Sequence, residues 1–215
     1  MAPREYRPAA YLRGAATATT RHYDPAAKYP LAVFQDGQNA FTNQGIKGGI
    51  WADRASAFLA RAGRIPDVVV VGVWCHKLRN QAYLPPPLGR ADLYVAFLRR
   101  LAAFVRERYG VTDDPRRTAV IGCSYGAVAS LWSALEAPDL FGLVGSLSLA
   151  DPRGSPVRTT MRSLPRLPLF RLYADCGTQW SAGDRHRHDN MPSTNDVVRI
   201  AEERGMIHGL DLMHV

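Results

Sequence analysis

Gly122-Cys123-Ser124-Tyr125-Gly126 sets a hydroxyl between two glycines, with a strand-like run before it (Thr118 to Ile121) and a helix-like run, AVASLWSALEA, directly after it. A serine hydroxyl is a poor nucleophile until a base can reach it, and a sharp strand-to-helix turn lifts it clear of a sheet. Glycines two residues either side permit that turn. The pattern points to acyl transfer with Ser124 as nucleophile; the alternative is a serine in an ordinary tight turn. Such chemistry also needs a base, a group that orients the base, and donors for the oxyanion. The N–H of Tyr125, at the start of the helix, is the expected first donor. The second is expected from the loop after Leu31–Gln35, where the N–H of Gln38 is the choice and Gly37 lets the backbone approach a substrate. Asp36-Gly37 is also a common plain turn pair.

Other reactive side chains carry less. His186-Arg187-His188-Asp189 has metal-ligand types, but imidazoles two apart project together only on a strand, and GDRHRHDN reads as a polar loop with no third ligand. No metal and no cofactor is expected. Cys75, Cys123 and Cys176 form no close-spaced pattern and cannot all pair within the chain, so they read as buried free thiols. His22 and His76 have no motif around them and read as surface or loop-end residues.

The elements that must position Ser124 alternate in type. Apolar runs at Leu31–Gln35, Asp67–Trp74, Arg117–Gly122, Leu143–Leu149, Leu169–Ala174 and Leu210–Val215 read as strands, mostly without polar alternation, which predicts a sheet covered on both faces. A Pro- and Thr-containing segment before them is expected to hold one irregular edge strand. Helices are predicted at Ala52–Ala62, Ala91–Tyr109, Tyr125–Ala137 and Asp196–Arg204; in the second, Leu93, Phe97, Leu101, Phe104 and Val105 form the apolar stripe. Gln81–Gly89 reads as a proline-fixed loop, and Asp151–Pro168 as an unpatterned loop over the active-site face. The expected fold is α/β: one domain over residues 1–215, three layers, a mainly parallel sheet and right-handed crossovers. Ligands in such sheets bind beyond the carboxyl ends of the strands, where both Ser124 and Asp36 to Gln38 fall.

A chain of 215 residues, 47% hydrophobic, suffices for one well-buried core. The net charge of +8 is spread along the sequence, and Arg supplies 24 of the 27 basic residues against three Lys, so no nucleic-acid partner is expected. No segment has the length of apolar residues that a membrane span needs, and the N-terminus has no continuous apolar stretch. A cytoplasmic protein is the expectation, with a small-molecule partner.

Together the motifs resemble the esterase family of α/β hydrolases that includes enterochelin esterases, feruloyl esterases, S-formylglutathione hydrolase and the antigen 85 mycolyltransferases. YPLAVFQDGQNAF resembles the family's strand and Asp-Gly-Gln, IPDVVVVGVW its next strand, and RNQAYLPP its Arg-x-x-Glu-Tyr-x-Pro segment. GCSYGAVASLWSALEAPDLFGLVGSLS matches the elbow, its helix, a Pro-Asp-x-Phe turn and the following strand; LYADCGTQ resembles the strand and loop before the family's acid. The resemblance implies an α/β-hydrolase sandwich and cleavage of a carboxylic ester through an acyl-enzyme on Ser124. Acyl transfer to a sugar or other alcohol is the second implied activity.

Three positions depart from the family. Trp180 stands where a carboxylate is common, leaving Asp175 and Asp184 as the acids near enough to orient a histidine; Asp175, at the strand end, is preferred, with backbone bonding as its alternative role. Ala82 replaces the Glu of the Arg-x-x-Glu-Tyr segment, which leaves Arg79 without its expected partner. The order Ser, acid, His puts the family's histidine beyond the last strand, several residues past Val215; His208 and His214 reach the serine only if that strand ends early. The expectation is therefore a fold without its last helix, and a third function: an esterase homologue impaired by truncation.

Overall fold

The computed structural model describes residues 9–12, 15–18, 23–24, 26–41, 49–75, 77–177 and 190–215. Strands β1 (Ala9–Leu12) and β2 (Ala15–Ala18) lie where one irregular strand was expected. They are followed by β3 (Leu31–Gln35), helix α1 (Ala52–Arg61), β4 (Val69–Val73), α2 (Arg79–Tyr83) and α3 (Ala91–Tyr109). Next come β5 (Thr118–Cys123), α4 (Tyr125–Glu136), β6 (Leu143–Leu147), α5 (Val157–Ser163), β7 (Arg171–Asp175), α6 (Met191–Glu203) and β8 (Leu212–His214). The single sheet has the order β1-β2-β4-β3-β5-β6-β7-β8; β4 through β8 are parallel and β2 and β1 add antiparallel at one edge.

The strand order explains the layers. From β3 the chain crosses to β4 in one direction, then returns past β3 to β5 and continues outward to β8. Right-handed crossovers in opposite directions put their helices on opposite faces. So, among the described helices, α1 stands alone on one face, where Ala52 packs with Val70, Ala40 and Phe41. The opposite face carries α4 on β3, β5 and β6, and α6 on β7 and β8, with α3 and α5 packed against them. Helix α4, squeezed between the sheet and α2, α3 and α5, is buried nearly all round. Among the strands from β3 to β8, β4 alone is buried along its whole length. Strands β5 and β7 alternate buried with exposed or half-buried positions, so the prediction of a sheet covered on both faces fails there. On the uncovered side Ile121, Leu143, Leu147, Tyr173 and Met213 line an apolar groove of about 440 Å³.

Several boundaries differ from the sequence reading. Gln81–Gly89 opens in the helix α2, and Asp151–Pro168 contains α5, which packs against α4 and α6. Helix α6 starts at Met191, with Pro192 in its first turn, five residues before the predicted Asp196. Helix α3 has the predicted span and ends at left-handed Gly110, but its buried stripe is Val95, Leu98, Leu101, Ala102, Val105 and Tyr109. Leu93 (57%), Phe97 (40%) and Phe104 (38%) are exposed. No helix among the described residues is long and apolar enough to cross a membrane.

Candidate active site

Strand order reverses at β3, so the crevice between the carboxyl ends of β3 and β5 is the topological switch point where parallel sheets bind ligands. Of the four non-glycine residues with positive φ among the described residues, three stand at this edge: Asp36 after β3, Ser124 after β5 and Ser148 after β6. Each costs on the order of 1–3 kcal/mol and persists only where its surroundings enforce it.

At Ser124 (φ 60°, ψ −123°) the enforcement is steric. A Cβ on Gly122 would lie 2.3 Å from the carbonyl carbon and oxygen of Gly126, and one on Gly126 would lie 3.2 Å from Asp36 Oδ2. The two glycines thus let the strand and helix close on each other beneath the serine. The Ser124 N–H donates to the Leu147 carbonyl at 3.0 Å, tying the turn to β6, and the Ser124 carbonyl accepts from Ala127 N at 3.0 Å. Tyr125 is the first residue of α4, so its amide has no carbonyl of its own helix to bond.

The turn after β3 faces this elbow. Asp36 adopts the left-handed conformation (φ 54°, ψ 53°), and Gly37–Asn39 forms one turn of 3₁₀ helix. Gly37 presses on β4: a Cβ there would stand 2.3 Å from the Gly72 carbonyl carbon. Gln38 is anchored by its side chain, whose Oε1 accepts from Cys75 N at 3.1 Å and whose Nε2 donates to Asp36 Oδ1 at 3.4 Å. The N–H groups of Gln38 and Tyr125 therefore belong to turns at the ends of two adjacent strands.

Arg79 has a partner after all. Its Nε donates to Asp36 Oδ1 at 2.8 Å and its terminal nitrogen to Asp36 Oδ2 at 2.7 Å, a bidentate pair with the aspartate side chain only 10% exposed. The same nitrogen reaches the Cys123 carbonyl at 3.3 Å. Burial opposes the Arg79 charge, but hydrogen bonding and attraction to Asp36 outweigh it and hold its pKa above the usual arginine value. Beneath the pair, Tyr83 Oη accepts the Asp36 N–H at 2.9 Å. The Tyr83 ring packs at a tilt of 58° against Tyr94, centroids 5.1 Å apart, and the Tyr94 hydroxyl donates to Gln35 Oε1. Burial foremost pushes both phenols well above their ordinary range. Gln35, buried beneath both Gly122 and Gly126, leaves its Nε2 without a partner among the described residues.

Asp175 ends β7 level with Leu147 and Cys123, two strands from the elbow, or about 10 Å by strand spacing. Its carbonyl accepts from Ser148 N at 2.8 Å and its Oδ1 from the same N–H at 3.3 Å. The Ser148 carbonyl in turn accepts from Asn190 Nδ2 at 2.9 Å, fixing the start of α6 to this edge. His208 lies before β8, at the end of the sheet away from Ser124, and its Nε2 sits 2.9 Å from Glu202 Oε1. His214 pairs in register with Ala174, so by strand alternation it projects to the face opposite Asp175. It is also three strands from the elbow, about 14 Å away. Neither histidine is brought to Ser124. Asp184, Trp180, His22, His76, His186, His188 and Asp189 lie outside the described residues, and no cluster of three metal-binding side chains occurs among the described ones.

The cysteines correct another expectation. Cys123 is exposed and Cys75 and Cys176 are half-buried; all three are free thiols. Partial burial, then the Asp36 charge, raise the Cys75 pKa to about 11. Sequence reasoning did not find the roles of Gln35, Tyr83, Tyr94 and Asn190. The Asp36–Arg79 pairing left one trace in the sequence: an arginine whose family partner is replaced by Ala82.

A family model described as "Putative esterase" matches residues 14–208. The chain is 27% identical over 190 residues to an uncharacterized protein, YbbA, of Bacillus subtilis, covering 82% of this chain and 72% of that one. It is 31% identical over 138 residues to the iron(III) enterobactin esterase of Dickeya dadantii, covering 59% of this chain and 27% of the relative. Among solved structures, an enterobactin esterase from Shigella flexneri superposes with a TM-score of 0.69 at 20% identity. The match takes in 94% of this chain and 48% of that one, so the chain spans about half the length of that relative. With the model matching most of its length, the chain belongs to this esterase family.

Proposed function

We propose that the chain is a serine esterase acting on carboxylic esters. The Ser124 Oγ attacks the ester carbonyl; the carbonyl oxygen takes up the negative charge and receives hydrogen bonds from the N–H groups of Tyr125 and Gln38. The C–O bond to the alcohol then breaks, the alcohol leaves with the serine's proton, and water hydrolyses the acyl-serine by the same route. Asp175 is the carboxylate proposed to orient the base that takes the Ser124 proton, a place that neither His208 nor His214 fills. The observation that carries this reading is the strained Ser124 turn beside the Gln38 turn, at the switch point of a parallel sheet. The names of two similar proteins, both enterobactin esterases, support an ester substrate.

A second reading, a homologue that binds esters with little turnover, rests on one observation. His208 and His214 both stand away from Ser124. Hydrolysis of p-nitrophenyl butyrate separates the two. The first reading predicts saturable turnover that falls at least about a thousandfold in Ser124→Ala, since losing a triad nucleophile removes most of the rate. Equal rates for the two proteins would reject it in favour of the second.

A further inference from the structure

The two turns proposed to carry the oxyanion donors lie on different strands, and one side chain touches both. The Arg79 fork holds the Asp36 carboxylate at 2.7 and 2.8 Å, while its terminal nitrogen reaches the Cys123 carbonyl, one residue before Ser124, at 3.3 Å. Asp36 opens the turn that carries Gln38, and its carboxylate also lies 3.4 Å from Gln38 Nε2. The Tyr83 hydroxyl supports the Asp36 N–H from below, and Arg79 and Tyr83 are the two ends of the five-residue helix α2. The arginine also lies over the Tyr83 ring (5.1 Å) and beside the Tyr125 ring (5.8 Å), so its orientation is fixed from three directions.

We propose that Arg79 is a positioning residue that sets the separation of the Gln38 and Tyr125 N–H groups by bridging Asp36 to the Cys123 carbonyl. The proposal rests on the assignment of Ser124 and the oxyanion donors made above. A planar fork can grip a carboxylate and still present an N–H to a carbonyl; an ammonium is a compact point charge without that geometry. Misplacing a donor by about 1 Å is enough to cost on the order of a hundredfold in rate. A positioning role therefore shows in binding of a tetrahedral, oxyanion-bearing adduct and in kcat, with KM little changed.

Phenylboronic acid, which adds to an active-site serine to form a tetrahedral adduct, is the probe. Its affinity is measured for the wild type, Arg79→Gln, Arg79→Lys and the double variant Asp36→Asn with Arg79→Gln, alongside melting temperature and p-nitrophenyl butyrate kinetics. Arg79→Gln is expected to weaken the boronate about 30-fold and lower kcat similarly, with KM within about threefold. Arg79→Lys is expected to weaken it about tenfold and serves alone if the glutamine variant does not fold. In the double variant the unpaired buried carboxylate is gone, so melting returns towards the wild type while boronate affinity stays as low as in Arg79→Gln. That split is what a purely structural role would not produce. Wild-type affinity in both single variants, or boronate affinity recovering together with melting in the double variant, overturns the proposal. A wild type that binds no boronate defeats the Ser124 assignment itself, and this inference with it.

Discussion

At Ser124 a positive φ is held by two glycines: a side chain on Gly122 would run into the Gly126 backbone, and one on Gly126 would press on the side chains of Gln35 and Asp36. Gly122→Ala is therefore expected to destabilise the fold by about 2–3 kcal/mol, the cost of forcing atoms into a packed site. Gly177→Ala, where an added Cβ meets nothing within 4 Å, should be near neutral. Urea midpoints compare them, and equal midpoints would contradict the steric account. At Cys75 the raised pKa keeps the thiol protonated, with only about one part in a thousand as thiolate at pH 8. Iodoacetamide at that pH should modify exposed Cys123 well before Cys75; peptide mapping showing the reverse order would count against it. Ser124, Tyr125 and the glycines were legible in the sequence because a five-residue pattern encodes their backbone. The partner of Arg79 was not, because Asp36 is 43 residues away and nothing local joins them.

The longer helices were legible in the sequence, α6 without its first five residues, and their orientation less so. Helix α3 has the predicted span, yet two apolar stripes share Leu101 and Val105, and the bulkier one, with Leu93, Phe97 and Phe104, faces outward. Small side chains such as Ala102 suit close approach to neighbouring elements, which a rule of burying the largest residues misses. Helix α5 went unseen for a related reason: seven residues are too few for a periodic signal, and what holds it is an ion-pair chain as well as packing. Arg158 Nε lies 2.8 Å from Asp151 Oδ2, whose side chain is fully buried, and Arg158 also bonds Asp196 of α6 at 3.0 Å. Burial raises the Asp151 pKa despite the arginine. Arg158→Ala should cost about 3 kcal/mol by leaving the carboxylate unpaired, whereas Asp151→Asn should cost less than about 1 kcal/mol because Arg158 keeps Asp196. With a folded pKa above the unfolded one, the folded state binds more protons, so stability falls as pH rises above the unfolded value and recovers as pH drops back. The deficit of Arg158→Ala should accordingly shrink on acidification towards pH 4. Equal costs for the two variants in denaturant titrations would contradict this account.

Across the whole molecule the mainly parallel sheet, with Ser124 and Gln38 at the carboxyl ends of its strands, followed from the alternation of strands and helices, while the switch point and the uneven layering needed the strand order. Once the chain turns outward from β3, each right-handed crossover lays its helix on the same side, and one face of β5–β8 stays bare among the described residues. Tyr173, Leu210 and Met213 are exposed on or beside that face. Apolar patches of this kind favour association. Sedimentation velocity should show concentration-dependent self-association of this chain that Met213→Glu reduces; a monodisperse monomer at every concentration would contradict the expectation. The catalytic claim itself rests on Ser124, and its most direct measurement is the intact mass of the protein after incubation with a fluorophosphonate, followed by peptide mapping. The account predicts one phosphonyl group per chain, located on Ser124 and absent from Ser124→Ala. An unmodified wild type, or a label on any other residue, would contradict it.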